Sequence, residues 1–192
     1  MPFIAIDKNT GKPIDILEIS NPHLTLKKSE FICQLCGEAM FLKAGPILRP
    51  HFSHFADCKS DYKTGHSETA NHLFAKMELK RILRAQFSNL ENIEIEYEVP
   101  IPEIKRVADV LVTFPMGWRM AHEIQLSSIT LEDLEERTND YFRGGIDVYW
   151  WLGESADIPS NRMWCVKKFG FSLSISFNFK QQPEPFSFSQ IT

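Results

Sequence analysis

The chain has 192 residues, 43% of them hydrophobic, enough for one sizeable core or for one core and a small satellite. Lys and Arg number 21 against 25 Asp and Glu, a formal net charge of −4, which argues against indiscriminate polyanion binding but leaves room for a local basic groove. No apolar run is long enough to span a bilayer, and the opening MPFIAIDKNTGKPID lacks a charged segment followed by an apolar one, so the expectation is a cytoplasmic protein without a membrane partner.

Along the chain, FIAI and IDILEI flank the turn DKNTGKP and predict a β-hairpin. Two short β-type runs, FIC and AMFL, then flank CQLCG, and a Gly-Pro turn leads to HFSH. The polar loop KSDYKTGHS marks a boundary, after which Ser67 fits the N-cap of a helix, ETANHLFAKMELKRILRAQF. Ala70, Leu73, Phe74, Met77, Leu83 and Phe87 fall on one face of that helix. Glu68, His72, Lys76 and Lys80 step by four along a separate polar ridge, the pattern of a solvated face.

IEIEYEVPI alternates strictly and reads as a strand with one wet face; RVADVLVTF and MAHEIQL are two more, joined by a turn around PMGW. Thr130 and Asp133 start the helix LEDLEERTNDYFR in capping-box fashion, and Gly144–Gly145 end it. IDVYWWL has the look of a strand buried on both faces, so strand, helix and strand form a βαβ unit with a parallel pair. FSLSISFNF alternates as a half-buried strand, and the tail QQPEPFSFSQIT is expected to be loosely held.

Three of the four cysteines lie among histidines; the fourth, Cys165 in RMWCVKKF, reads as a small core residue. In CQLCG, two thiolates converge on one metal from a tight knuckle, and a glycine follows as the turn requires. Downstream stand His51, His54 and Cys58, one candidate more than four-coordinate zinc needs. The spacing of His54 and Cys58 suits a short second ligand pair, so the expected set is Cys33, Cys36, His54 and Cys58, with His51 as the alternate. Such a closed set leaves no position for water and implies structural zinc holding a small subdomain. No helix begins at the CxxC, which argues against a redox motif. His66-Ser67-Glu68 matches the HxE of nucleobase deaminases, but there a PCxxC follows, whereas here the CxxC precedes.

Two carboxylates sit in apolar strand contexts: Asp109 in RVADV and Glu123 in AHEIQLSS. Glu123 and Gln125 share a strand face, opposite Ile124 and Leu126. An unpartnered buried carboxylate is costly. Two of them on adjacent strands can meet at one Mg²⁺, which activates water and neutralises phosphodiester charge. Alone, Asp109 reads equally as the partner of Arg106 or Lys105.

The ordered set resembles the PD-(D/E)XK nuclease core, with Asp109 in the D position and Glu123-Ile124-Gln125 as E-x-Q. The resemblance implies Glu68 as a further acid from the preceding helix and Arg137 with Tyr141 as a pair that contacts DNA phosphate or braces the site. Gln125 stands where the usual lysine would be; it can orient the attacking water or hold a carboxylate, and Lys76 could supply the missing charge from the helix ridge.

Over roughly residues 1 to 152 the chain also resembles the CoiA competence-protein family, on CQLCG, RPHFSH, SETANHLFAK, RVADVLV, HEIQLSS and ERTNDYFRGG before VYWWL. That implies an α/β fold, a restriction-endonuclease-like mixed sheet with flanking helices preceded by a small β-rich zinc module. Expected divisions are residues 1–62 for the zinc module, 63–155 for the nuclease domain and 156–192 for a β-rich extension. Expected cofactors are structural Zn and catalytic Mg or Mn, and expected partners are DNA and recombination or competence proteins. The competing classes are an inactive DNA-binding accessory protein, suggested by the missing lysine, and a protein-interaction adaptor.

Overall fold

Short turns with local carboxylate caps build the N-terminal sheet. The computed structural model of the chain describes residues 2–45, 49–62, 69–177 and 186–191. Strands β1 (Ile4–Asp7) and β2 (Pro13–Asp15) pair antiparallel, and the Asp7 carboxylate accepts from the Asn9 and Thr10 amides in the turn between them. The second strand is shorter than the sequence suggests. Asp15 accepts from the Leu17 amide and turns the chain into one 3-10 turn at Ile16–Glu18, followed by the one-turn helix α1 (Pro22–Thr25). Strands β3 (Phe31–Ile32), β4 (Ala39–Lys43) and β5 (His51–His54) complete a five-stranded sheet in the order β2-β1-β3-β4-β5. Phe3, Ala5, Ile16, Phe31, Met40 and Phe52 form its core, joined by Leu73 from the next helix.

Helix α2 (Ala70–Gln86) starts at Thr69, whose hydroxyl accepts from the His72 amide; Ser67, expected as the cap, lies outside the described residues. Its polar ridge is not a solvated face. Lys76 is 1% exposed and pairs with Glu98 at 2.6 Å, Lys80 is buried and pairs with Asp15 at 3.2 Å, and Arg84 reaches Glu18 at 3.0 Å. Steps of four along a helix suit an interface as well as they suit water. Here the ridge is enclosed, Lys80 by Asp15 of β2 and Lys76 by Glu98.

The second sheet has six strands in the order β11-β10-β9-β8-β7-β6. Strands β6 (Glu94–Ile101), β7 (Arg106–Thr113) and β8 (Arg119–Gln125) form an antiparallel meander. Helix α3 (Leu131–Arg143), capped by the Thr130 hydroxyl on the Asp133 amide, crosses to β9 (Ile146–Leu152), which runs parallel to β8 as the βαβ pattern predicts. The segment after residue 156, expected to be β-rich, begins with a helix, α4 (Pro159–Phe169). Proline in its first turn and Gly170 at φ +85 after its last residue delimit it. Strand β10 (Ser172–Phe177) then lies parallel to β9, and β11 (Phe186–Ile191) pairs antiparallel along β10, so residues 186–191 of the tail are held in the sheet.

Helix α2 covers one face through Ala75, Leu79 and Leu83, against Ile95, Tyr97, Val110, Val112, Met120 and Ile124. The opposite face carries α3 and α4, where Leu134, Tyr141 and Cys165 pack on Ala108, Ala121, Val148, Trp150 and Leu152. Each large side chain so buried contributes about 1.5–3 kcal/mol.

Along β6 and β7 the alternation slips at one place. Ile95 and Tyr97 face α2 but Ile101 faces α3; Val110 and Val112 face α2 but Ala108 faces α3. The slip falls at Glu98, whose φ is +52, where the register steps from Tyr97–Val110 to Val99–Ala108 across Glu98 and Asp109. A non-glycine residue in the left-handed region within a strand is strained, and such strain collects at functional sites.

At the end of β9, Gly153 donates to the Gln125 carbonyl at 2.8 Å, and a Cβ there would stand 3.0 Å from Leu126 Cα. Backbone has to move to admit it. Gly153→Ala is therefore expected to lower unfolding free energy by about 1–3 kcal/mol in urea titration; an unchanged midpoint would show that β8 and β9 are not held this closely.

Candidate functional site

In the first sheet, hydrogen bonds from the Cys33 amide to the Glu38 carbonyl and from the Gly37 amide to the Cys33 carbonyl, both 2.9 Å, shape the CQLCG knuckle, with Gly37 at φ +73. The knuckle sits between β3 and β4, and β5 delivers His54 beside it. Ligand atoms of Cys33, Cys36, His54 and Cys58 all lie within 4.8 Å of one another, with Cys33 Sγ 4.0 Å from Cys58 Sγ and Cys36 Sγ 3.4 Å from His54 Nε2. Three sulfurs and one imidazole in this arrangement can hold a metal such as zinc. Burial pushes the Cys33 thiol up to about 12, so a bound cation is what would keep it a thiolate. His51 is elsewhere: buried, with Nδ1 2.9 Å from the Arg49 carbonyl.

In the second sheet, the pairing of β7 with β8 runs from Thr113–Arg119 to Val110–His122 and stops. Beyond it, side chains take over from the ladder. The Asp109 amide donates to Glu123 Oε1 at 3.3 Å, and the Ile124 amide donates to Asp109 Oδ2 at 2.9 Å. The two expected carboxylates thus sit together where the strands part.

Glu123 is 2% exposed. Tyr141 donates to its Oε1 at 2.6 Å, and Arg137 pairs with its Oε2. Arg137 also donates to Gln125 Oε1 at 2.9 Å and lies 4.7 Å over the Trp150 ring; Gln125 Nε2 in turn donates to Ser127. Asp109 keeps more access, its side chain 18% exposed. His72 Nε2 faces two acceptors, Asp109 Oδ2 at 3.2 Å and the Ile124 carbonyl at 2.9 Å, so it carries a hydrogen and donates to both.

The two carboxyls are shifted in opposite directions. Burial opposes the charge on Asp109, but His72, Lys76 and the Ile124 amide outweigh it and hold this carboxyl below the usual range. Burial, followed by the charge of Asp109, pushes Glu123 up, against the pull of Arg137 and Tyr141. Divergent carboxyls of this kind mark functional sites. The plain alternative for Asp109 does not hold: Arg106 pairs with Asp140 at 2.6 Å, and Lys105 pairs with Asp61 at 3.0 Å.

Glu68 lies outside the described residues. Lys76 and Tyr141, expected to address phosphate, are both 1% exposed and point inward: Tyr141 braces Glu123, and Lys76 is bound by Glu98. Arg137, with its side chain 19% exposed, keeps an edge towards solvent. Two residues of the network escaped sequence reasoning. The spacing of His72 marks it only as part of the ridge, and nothing in IEIEYEVPI separates Glu98 from Glu94 and Glu96 on the wet face.

Among the described residues no helix is long and apolar enough to cross a membrane. Comparison with curated proteins and with solved structures returned no match. Two family matches stand out. Residues 68–190 match the family described as competence protein CoiA, nuclease-like domain, a span that includes both carboxylates and runs through α4 and β10 into β11. Residues 18–61 match competence protein CoiA, N-terminal domain, a span that includes the four-residue cluster. The chain belongs to the CoiA competence-protein family.

Proposed function

We propose that this chain is a divalent-cation-dependent deoxyribonuclease that processes incoming or foreign DNA, with Asp109 and Glu123 as ligands for Mg²⁺ or Mn²⁺. The observation that carries the reading is the parting of β7 and β8 at those two carboxylates. Oxygen donors suit a hard cation, and one or two carboxylates with water and phosphate suffice for Mg²⁺. When bound, the cation would lower the pKa of a water and neutralise charge on a phosphodiester oxygen.

The chain's own residues do the positioning. The Ile124 amide and His72 anchor Oδ2 of Asp109, whose side chain keeps partial access to solvent. Tyr141 and Arg137 fix the orientation of Glu123. Gln125, engaged at both ends of its amide, acts through Arg137 rather than on water directly. Arg137 is the cation placed to meet a phosphate at the site's edge. The contribution of Glu68 rests on the sequence alone. Zinc held by Cys33, Cys36, His54 and Cys58 would stabilise the small first sheet.

A second reading, a DNA-binding accessory protein without turnover, draws on the absent motif lysine and on the full engagement of both Glu123 oxygens.

Labelled single- and double-stranded DNA with Mg²⁺ or Mn²⁺ separates the two. Cutting by wild type that is lost in both Asp109→Asn and Glu123→Gln, each with its zinc intact, is expected; unchanged DNA affinity without cutting by any form would favour the accessory protein. Tyr141→Phe removes only the hydroxyl that braces Glu123, and about a 10- to 100-fold loss of Mn²⁺ affinity or rate should follow, the range for an outer-shell partner. Purified protein is expected to carry one zinc per chain, and its removal by a chelator should lower the unfolding temperature. A Tm that ignores chelation would count against the structural role.

A further inference from the structure

The C-terminal ends of α3 and α4 lie together at the end of the sheet away from the carboxylates, and the chemistry described so far does not use them. Both helices leave from the end where Gln125 of β8 pairs with Leu152 of β9, and at 1.5 Å per residue they span about 16–20 Å. Their last turns carry Phe142 and Arg143 on α3 and Lys167, Lys168 and Phe169 on α4. The rings form a row. Phe142 and Phe169 have centroids 6.4 Å apart, edge to face; Phe171 follows at 6.4 Å from Phe169 and stacks on Tyr149 of β9 at 5.6 Å.

Phe142 is 40% exposed, and Lys168 Nζ lies 5.1 Å over its ring. Lys167 and Lys168 are exposed and make no ion pair among the described residues, whereas Arg143 pairs with the buried Asp140, which it shares with Arg106. Cations in the last turn of a helix complement its dipole. That accounts for the lysines but not for the exposed ring beneath one of them. Aromatic faces beside ammonium groups fit an unpaired nucleic-acid strand, whose bases stack on rings while its phosphates meet cations. A duplex keeps its bases stacked on one another and offers the rings nothing. At a net charge of −4 the chain as a whole does not attract DNA, so its contacts have to be local.

We propose that the joined C-terminal ends of α3 and α4 are a second DNA contact, one helix length from the carboxylates, that binds an unpaired strand through the Phe142 ring and the Lys167 and Lys168 ammonium groups. This rests on the reading of DNA as the substrate, and it adds a surface that shares no residue with the cation site. A base laid on Phe142 takes the place of the Lys168 ammonium over the ring and leaves that ammonium for the adjoining phosphate. Phe169, set edge-on against Phe142, holds the ring in place.

The test is binding of a fluorescein-labelled oligothymidylate to zinc-loaded full-length protein, followed by anisotropy over a salt series without Mg²⁺ or Mn²⁺. The double variant Lys167→Ala, Lys168→Ala is expected to bind more weakly and to lower the slope of log affinity against log salt by about 1.4, two contacts at about 0.7 each on a single strand. Lys27→Ala with Lys28→Ala removes the same charge from another exposed pair and is expected to leave the slope unchanged. Phe142→Ala is expected to weaken binding about fivefold or more at an unchanged slope, and Phe142→Tyr, which keeps the ring, to bind within about twofold of wild type. If Phe142→Ala does not fold, Phe142→Leu takes its place, keeping apolar bulk without the ring face. An unchanged slope on loss of Lys167 and Lys168 overturns the proposal, as does an equal change on loss of Lys27 and Lys28. So do wild-type affinity without the Phe142 ring, a Phe142→Tyr loss as large as that of Phe142→Ala, and equal affinity for a duplex of the same length. Wild type that binds no DNA overturns the substrate reading and this inference together; wild type that binds through this surface but does not cut refutes the nuclease alone.

Discussion

Two carboxylates lie close together, largely out of water, at the point where β7 and β8 separate, and their charge has to be balanced by something. Most of the polar architecture of the second sheet follows from that need. From α3 come a guanidinium and a phenol; from α2 come an imidazole and, at one remove, an ammonium; the strand amides supply the rest. The balance is uneven. Asp109 is kept ionised and accessible, while Glu123 is buried and engaged. A site that only had to be stable would do better with apolar residues here, since replacing a buried ion network by well-packed hydrophobics is often neutral or favourable.

The same reasoning explains the meeting of the two sheets. Lys80 and Arg84 reach from α2 to Asp15 and Glu18, while Lys76 pairs with Glu98 of β6, which in turn accepts from the Phe3 and Ile4 amides. The exposed Arg84 pair contributes about 0–1 kcal/mol, whereas removing one partner of the buried Lys76 pair would cost about 3–5 kcal/mol. Leu73 adds an apolar anchor in the first core. One helix thus carries side chains into both cores and into the carboxylate network.

Where chemistry dictates spacing, the sequence was readable. CQLCG with His54 and Cys58 marks the cluster, the apolar setting of Asp109 and Glu123 marks the pair, and the Thr130–Asp133 cap with the run IDVYWWL marks the βαβ unit. Tertiary context decided the rest. Period-2 alternation puts Glu98 with Glu94 and Glu96 in water, and only a left-handed φ and the arrival of β1 bury it. The ridge on α2 has the same spacing whether water or a second sheet lies against it. Helix α4 carries usable signals in Pro159, Gly170 and the lysines of its last turn, but it fully buries only Asn161 and Cys165, so no apolar period announces it.

The central claim is that Asp109 and Glu123 form a divalent-cation site. Anomalous diffraction from Mn²⁺-soaked crystals, collected also at the zinc edge, tests it most directly. The account predicts a zinc peak inside the Cys33, Cys36, His54 and Cys58 cluster and a separate manganese peak bounded by Asp109 and Glu123. Manganese bound only elsewhere, with Glu123 still closed on Arg137 and Tyr141, would contradict it.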